Sequence, residues 1–365
     1  MFDVRVLADD LTGALDSAVA FAGDAGLEVT WRHDAPPDRR AAIDMGTRDG
    51  SAVSAVQRYG RLASWLAEGE LSFLKMDSLV RGHPIAEITA CIRGGGYQRV
   101  VVAPAFPYHG RITRDGQQWR IGEVAAAVGP NLAESLAREF PTSIARPGEA
   151  GGNQVVVYDA HSDTDLDRIV ATELAIPVPR LWVGSGGLSA ALARYHHVPN
   201  RSTGATVRRF RPPFLCLVGT DHPVTAAQMA QFAHRFPGGH VVIDRDLPSV
   251  LEHVADRMQR SLPSLISVAA NGSRAAAARR IDEALAACLE ALAPPGTLLV
   301  TGGETLRSAC HHLRADLLDV RHEIEPGLPV SQLRGGRFDG VTVISKSGAF
   351  GAADLLLRLC AAMGL

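Results

Sequence analysis

The sequence predicts an α/β fold: two α/β domains with largely parallel sheets and an active site in the cleft between them. Three observations carry the prediction. Short β-branched runs alternate with amphipathic stretches from end to end, the pattern of βαβ units. Runs such as RVVVAPAF and NQVVVYDA are apolar on both faces, as strands inside a parallel sheet must be. The alternation breaks around Arg208–Pro213, where arginines precede Pro212–Pro213, a pair that continues neither a helix nor a central strand. We read that stretch as a linker between an N-terminal domain over 1–209 and a C-terminal domain over 214–365.

In the first domain, strands are expected at Asp3–Ala8, Glu28–Arg32, Ala42–Thr47, Leu71–Asp77, Arg99–Ala105, Gln154–Asp159 and Arg180–Gly184. Helices are expected at Gly13–Ala25, Ser51–Glu68 and Pro84–Arg93, with loops at Gly94–Gly96 and Gly151–Gly152. Periodicity is weak over Arg111–Gly152. In the second domain the predicted strands are Phe214–Gly219, His240–Asp244, Leu265–Ala269, Thr297–Thr301 and Val341–Ser345. Helices are predicted at Pro223–Phe236, Arg274–Leu292, Thr305–Leu313 and Gly351–Met363.

A chain of 365 residues, 46% hydrophobic and 21% charged, has the material for a real core in each domain. The formal net charge of −2 supplies no global field for nucleic acid or an anionic membrane. No apolar run approaches the ~18–20 residues needed to cross a bilayer, and the acidic start MFDVRVLADD is unlike a signal peptide. A cytoplasmic protein is expected, with homo-oligomer formation left open. The five cysteines are scattered and form no CxxC, which argues against a disulfide framework or a zinc site. Of 37 basic residues only Lys75 and Lys346 are lysines, and both fall in distinctive local sequences. A compact ammonium fits tight polar pockets and phosphates where a guanidinium does not.

Six strand-end segments could carry chemistry. ADDLTGALDSA (8–18) places Asp9 and Asp10 after the first strand, with Thr12–Gly13 opening a helix and Asp16 one turn inside it. A DxDxT phosphatase fits poorly, because adjacent Asp9 and Asp10 tend to point apart. LKMDSLVRGHP (74–84) sets Lys75 and Asp77 on one side of a strand, followed by Ser78 and Arg81, a set able to hold a carboxylate and hydroxyls. APAFPYHGR (103–111) ends on Arg111. VGTDHPVTAAQ (218–228) carries Gly219, Thr220, Asp221 and His222 into a helix. LLVTGGETLRSA (298–309) offers Gly302, Gly303, Glu304 and Thr305, and ISKSGAFG (344–351) offers Lys346 and Gly348, both suited to close approach by phosphate. The chain has no GxxxxGK[ST] and no GxGxxG after strand one, so a P-loop and a dinucleotide fingerprint are both missing. The adjacent pairs His196–His197 and His311–His312 lack metal-ligand spacing and read as surface or cap residues. A sugar-acid-binding module without catalysis and a hydroxy-acid dehydrogenase stay open as alternatives at this level.

Taken together, ADDLTGA, KMDSxxRG, PAFPxxGR with Asp115–Gly116, YDAxxDxDL (158–166), VGSGGL (183–188), TGGET (301–305), PGLP (326–329) and KSGAFG (346–351) resemble the four-carbon acid sugar kinase family over nearly the whole chain. The resemblance implies a sugar-acid-binding N-terminal domain, an ATP-binding C-terminal domain, and Mg²⁺-assisted transfer of the γ-phosphoryl group. The acceptor it implies is the terminal hydroxyl of threonate, erythronate or a 3-oxo-tetronate. By matched position it implies substrate contacts from Asp10, Lys75, Asp77, Ser78, Arg81 and Arg111. We add Asp9 to them from its place at the strand end, and expect Asp10 to accept the hydroxyl proton. It implies nucleotide contacts from Gly219, Thr220, His222, Gly302, Gly303, Glu304, Thr305 and Gly348, and Lys346 is expected beside them as a point charge for polyphosphate. The family's Gly-Ser-x-Ser turn is here Gly219–Thr220–Asp221–His222, and the chain is short for the family, mostly through Arg111–Gly152.

Overall fold

A computed structural model describes residues 3–199, 210–244, 246–269 and 274–365. The chain folds as two compact units, 1–200 and 201–365, each a mixed α/β body. Arg208 and Arg209 of the expected linker lie outside the described residues.

The first unit is built on β1 (Val4–Ala8), β2 (Leu27–Thr30), β3 (Ala41–Asp44), β4 (Leu71–Lys75), β5 (Arg99–Ala103), β9 (Thr142–Ala145), β10 (Val155–Tyr158) and β11 (Arg180–Gly184). They run parallel in the order β2-β3-β1-β4-β11-β5-β10-β9. Every residue of β1, β4, β5 and β10 is buried, as their apolar runs required. Between strands come α1 (Leu11–Ala22), α2 (Ala52–Ala67), α3 (Pro84–Gly95), α4 (Leu132–Ala137), α5 (Asp163–Leu174) and α6 (Gly186–Tyr195). One face of the sheet packs on α2 and α3 through Tyr59, Leu62, Leu66, Ile88 and Ile92. The expected loop at Gly94–Gly96 is a correction: Gly94 and Gly95 still belong to α3, and only Gly96 turns left-handed, at φ 65°. A Cβ on Gly94 would stand 2.6 Å from that of Ala63, so glycine here serves close helix–helix contact.

The weakly periodic stretch holds a separate antiparallel sheet, β6 (Arg111–Arg114), β7 (Gln117–Arg120) and β8 (Ala126–Val128). Its first hairpin turns on Asp115–Gly116, both at positive φ, the Asp-Gly signal of a two-residue turn.

In the second unit β12 (Phe214–Val218), β13 (His240–Ile243), β14 (Ser264–Val268), β15 (Thr297–Thr301), β16 (Leu317–Glu323), β17 (Pro329–Arg334) and β18 (Thr342–Lys346) take the order β13-β14-β12-β15-β18-β17-β16. The first five in that order are parallel; β17 and β16 are antiparallel additions that the sequence reading did not separate. The helices are α7 (Pro223–Arg235), α8 (Leu247–Gln259), α9 (Arg274–Ala291), α10 (Gly303–His312) and α11 (Leu355–Ala362). Phe214, Cys216, Phe232, Leu299, Ile344 and Leu359 form its core. All five cysteines are buried. No helix among the described residues is long and apolar enough to cross a membrane.

Candidate functional site

Open parallel sheets bind ligands beyond the carboxyl ends of their strands, where neighbouring connections leave in opposite directions. In the first unit that point lies between β1 and β4. From β1 the chain goes by α1 to β2 on one side, and from β4 by α3 to β5 on the other. Ala8 is in register with Lys75, so Asp9–Asp10 and Met76–Asp77 emerge side by side.

Asp10 is extended (φ −144°) and caps α1, its Oδ1 accepting from Gly13 N at 2.7 Å and its Oδ2 from Thr12 Oγ1 at 2.8 Å. The reading that Asp9 and Asp10 point apart needs correcting, since both reach one cation. Arg48 Nε and Nη2 donate to Asp9 at 2.7 and 2.8 Å, and Arg48 Nη1 donates to Asp10. Arg48 follows β3, and its backbone N–H donates to Asp9 O at 3.2 Å, which fixes the loop against β1. The sequence reading missed Arg48, although MGTRDG is also a strand-end loop.

The expected Lys75–Asp77 pair is also replaced. Once β4 ends at Lys75 the chain turns, and Asp77 accepts from the backbone of Leu79 and Arg81 and from both ends of the Arg81 fork at 2.9 and 2.8 Å. Arg48 Nη2 stands 3.6 Å from the same carboxylate. Lys75 Nζ donates to Met76 O at 3.0 Å and sits over the start of α1, where a Cβ on Gly13 would come within 3.1 Å of it and 2.6 Å of Asp10 Oδ1. Val80, a β-branched residue at φ 59°, holds this loop in a strained conformation. Ser78 contributes its carbonyl, which accepts from Gln118 of the small sheet at 3.0 Å. Arg111 lies within electrostatic reach of Asp77 and Arg81, with its buried Nε unpaired among the described residues.

These charges perturb one another. Burial raises the Asp9 carboxyl; Arg48 opposes the rise and Asp10 adds to it. Burial would raise Asp77 too, but the Arg81 hydrogen bonds and the Arg48 charge hold it well below the usual carboxylate range. Asp16 is pushed up to about 6, by burial first and against the pull of Lys75. Behind the loop, Glu87 accepts from Thr47 Oγ1 at 2.6 Å and is raised to about 8 by burial and the Asp9 charge. The arrangement can hold a carboxylate and several hydroxyls among cations while keeping acids close to them.

In the second unit the connections diverge between β12 and β15. Val218, Thr301 and Lys346 are in register, so three loops emerge together. They interlock at glycines. A Cβ on Gly219 would stand 2.1 Å from Thr305 Oγ1, and one on Gly348 would stand 2.7 Å from Thr220 Oγ1. Gly302 has φ 102° and donates its N–H to Lys346 O. His222 caps α7, its Nδ1 accepting from Val224 N at 3.2 Å. Gly303 and Glu304 open α10. Lys346 is 1% exposed. Its Nζ donates to Thr225 Oγ1 at 3.0 Å and Ser347 O at 3.1 Å, and no carboxylate among the described residues pairs with it. Burial lowers its pKa to about 8. Thr225 and Gln228 of α7, which the sequence reading passed over, tie the last loop down through Gly348 O and the carbonyls of Phe350, Gly351 and Ala352. A buried cation without a counter-ion, beside glycine turns and helix N-termini, suits phosphate.

Residues 4–139 match the model of a sugar-binding N-terminal domain, and residues 215–356 match that of a nucleotide-binding C-terminal domain. The chain is 29% identical to the D-threonate kinase of Cupriavidus necator, over 98% of this chain and 97% of the relative. It is 26% identical to the D-erythronate kinase of Heliobacterium modesticaldum (97% and 95%) and 26% identical to the 3-oxo-tetronate kinase of Burkholderia multivorans (95% and 94%). A crystal structure of a Haemophilus influenzae DUF1537 protein shares the fold, with a TM-score of 0.69 at 18% identity over 99% of this chain and all of that one.

Proposed function

The chain belongs to the four-carbon acid sugar kinase family, and from that premise we propose that it transfers the γ-phosphoryl group of ATP to the terminal hydroxyl of a four-carbon sugar acid, D-threonate first among them. The observation that carries the reading is the chemical contrast between its two strand-end sites. One mixes acids and cations suited to a hydroxylated carboxylate; the other joins glycine turns to a buried lysine with no carboxylate partner among the described residues.

In this reading Arg81, Lys75, Arg111 and Arg48 receive the substrate carboxylate and orient its hydroxyls, with Asp9, Asp10, Asp77 and Ser78 holding those cations and the hydroxyls in place. A guanidinium can meet a carboxylate with two parallel hydrogen bonds. Asp10, at the end of β1, is the acid first expected from the sequence to accept the hydroxyl proton. The turns at Gly219–His222, Gly302–Thr305 and Lys346–Gly348 take the nucleotide, their backbone N–H groups and the Lys346 ammonium facing phosphate oxygens. Phosphoryl transfer asks mainly for positioning and charge stabilisation, which such sites supply. Mg²⁺ is part of the proposal. Asp221 and Glu304 are exposed carboxylates in these loops, and no group of three metal-binding side chains gathers among the described residues. That donor set fits an ion held largely by phosphates, with one or two protein carboxylates, where it would neutralise phosphate charge. A kinase drawing on ATP is consistent with the cytoplasmic location expected from the sequence.

The test is ADP release by the purified protein with Mg²⁺-ATP across D- and L-threonate, D- and L-erythronate and the 3-oxo-tetronates. Turnover on one acid well above the others is expected. Binding of an acid without turnover of any would refute the kinase and leave a binding module.

A further inference from the structure

We infer that Asp16 is the general base of this site, taking the proton of the attacking hydroxyl in place of Asp10. The inference rests on the kinase reading above. The other acids of the first site are already filled with donors. Asp9 receives two bonds from Arg48. Asp10 receives Gly13 N, Thr12 Oγ1 and Arg48 Nη1. Asp77 receives two backbone N–H groups and the Arg81 fork. Oxygens already occupied by several donors leave few lone pairs for a substrate hydroxyl to approach.

Asp16 is different. It lies on α1, one turn beyond Gly13 on the same face, and it forms no hydrogen bond among the described residues. It is set deep in the unit yet remains partly open to solvent. Its Oδ2 crowds the turn that follows β11, where a Cβ on Gly186 would come within 2.6 Å of it, so glycine is what leaves the carboxylate its space. The charged groups that face it are Lys75 from β4 and Asp10 from the β1–α1 turn. On its other side Gly186 and the Phe106 ring bring no charge. Lys75 places its Nζ beside Asp10 over the start of α1, and its charge reaches Asp16. Its Nζ spends one N–H on Met76 O, and the two others are available to a substrate oxygen placed between Asp10 and Asp16. Burial leaves Asp16 ionised at neutral pH but more basic than a solvated aspartate, at about 6, the range in which a general base works best.

The step balances simply. The hydroxyl oxygen bonds to the γ-phosphorus, the bond from that phosphorus to the β–γ bridging oxygen breaks, and ADP leaves. The hydroxyl proton passes to Asp16 and then to solvent.

The test is the single-turnover rate of the full chain with Mg²⁺-ATP and D-threonate from pH 5 to 9, for the wild type, Asp16→Asn and Asp10→Asn, with D-threonate affinity measured by calorimetry. The wild-type rate is expected to fall with the uptake of one proton below about pH 6. Asp16→Asn should lower the rate about 10²- to 10⁴-fold, remove that acid limb and leave D-threonate affinity nearly unchanged. Asp10→Asn should weaken affinity, because Asp10 orients Arg48, and should keep the limb. An Asp16→Asn rate close to wild type would overturn the inference, as would a limb lost in Asp10→Asn instead. The wild-type profile needs no variant, and a rate flat from pH 5 to 8 would overturn it alone. No turnover of any acid in the panel by the wild type would overturn the kinase reading, and Asp16 with it.

Discussion

Replacing Arg48 with methionine keeps most of the side-chain volume and removes the charge on which the first site is assembled. Asp9 is 1% exposed and Asp10 7%, and the same guanidinium binds both and stands 3.6 Å from Asp77. Without it, two buried carboxylates lose their hydrogen-bonded cation. Lys75 contributes charge but donates its hydrogen bond among the described residues to Met76 O. Breaking a buried ion pair typically costs about 3–5 kcal/mol, because the remaining charge stays desolvated. The acids in the variant can escape that cost only by taking up protons. The loss should therefore be full at pH 7 and shrink toward pH 5, since Asp9 already holds its proton more tightly than a solvated aspartate. All four tryptophans (Trp31, Trp65, Trp119, Trp182) belong to the first unit, so tryptophan fluorescence in urea reports that unit within the full chain. A variant within about 1 kcal/mol of wild type at pH 7, below the usual cost of a broken buried pair, would show that Arg48 is not the counter-ion. D-threonate binding should be lost in the same variant.

Other perturbations separate the two sites. Lys346→Met should weaken ATP binding yet stabilise the unliganded chain by roughly 3 kcal/mol, the equivalent of moving its pKa from 10.5 to about 8; thermal shifts with and without ATP check both signs. Because the ammonium is present only below about pH 8 in the free protein, ATP affinity should fall as pH rises through that value. Gly13→Ala, stabilising in an ordinary helix, should here destabilise and weaken acid binding, since the new methyl meets Asp10 and Lys75; ATP affinity should hold. Glu87→Gln should be close to neutral at acid pH. The folded wild type keeps the Glu87 proton up to about pH 8 while the unfolded chain releases it near 4.5, so wild-type stability declines between those values. The variant should therefore gain on wild type across that window and hold its advantage above it, as urea titrations at pH 5, 7 and 9 would show.

Much of this was legible in the amino-acid sequence. The apolar runs after which Asp9, Lys75, Gly219, Gly302 and Ser347 appear are strands because β-branched residues buried on both faces have few other places to go. The glycine turns and the two lysines stood out because so few residue types meet their local demands. The small sheet was marked only by Asp115–Gly116, and β16 and β17 lacked the helical spacers that separate parallel strands. What the tertiary structure alone decided is which side chains share a charge. Arg48 comes 38 residues after Asp10 and Glu87 40 after Thr47, and no local pattern pairs them. Asp16 looks like any acid on an amphipathic helix until Lys75 and the gap at Gly186 are placed around it. Chain-local sterics set strands, turns and caps and are written in neighbouring residues. Coulomb and desolvation energies depend on distance and burial, which exist only once the strands have been ordered side by side.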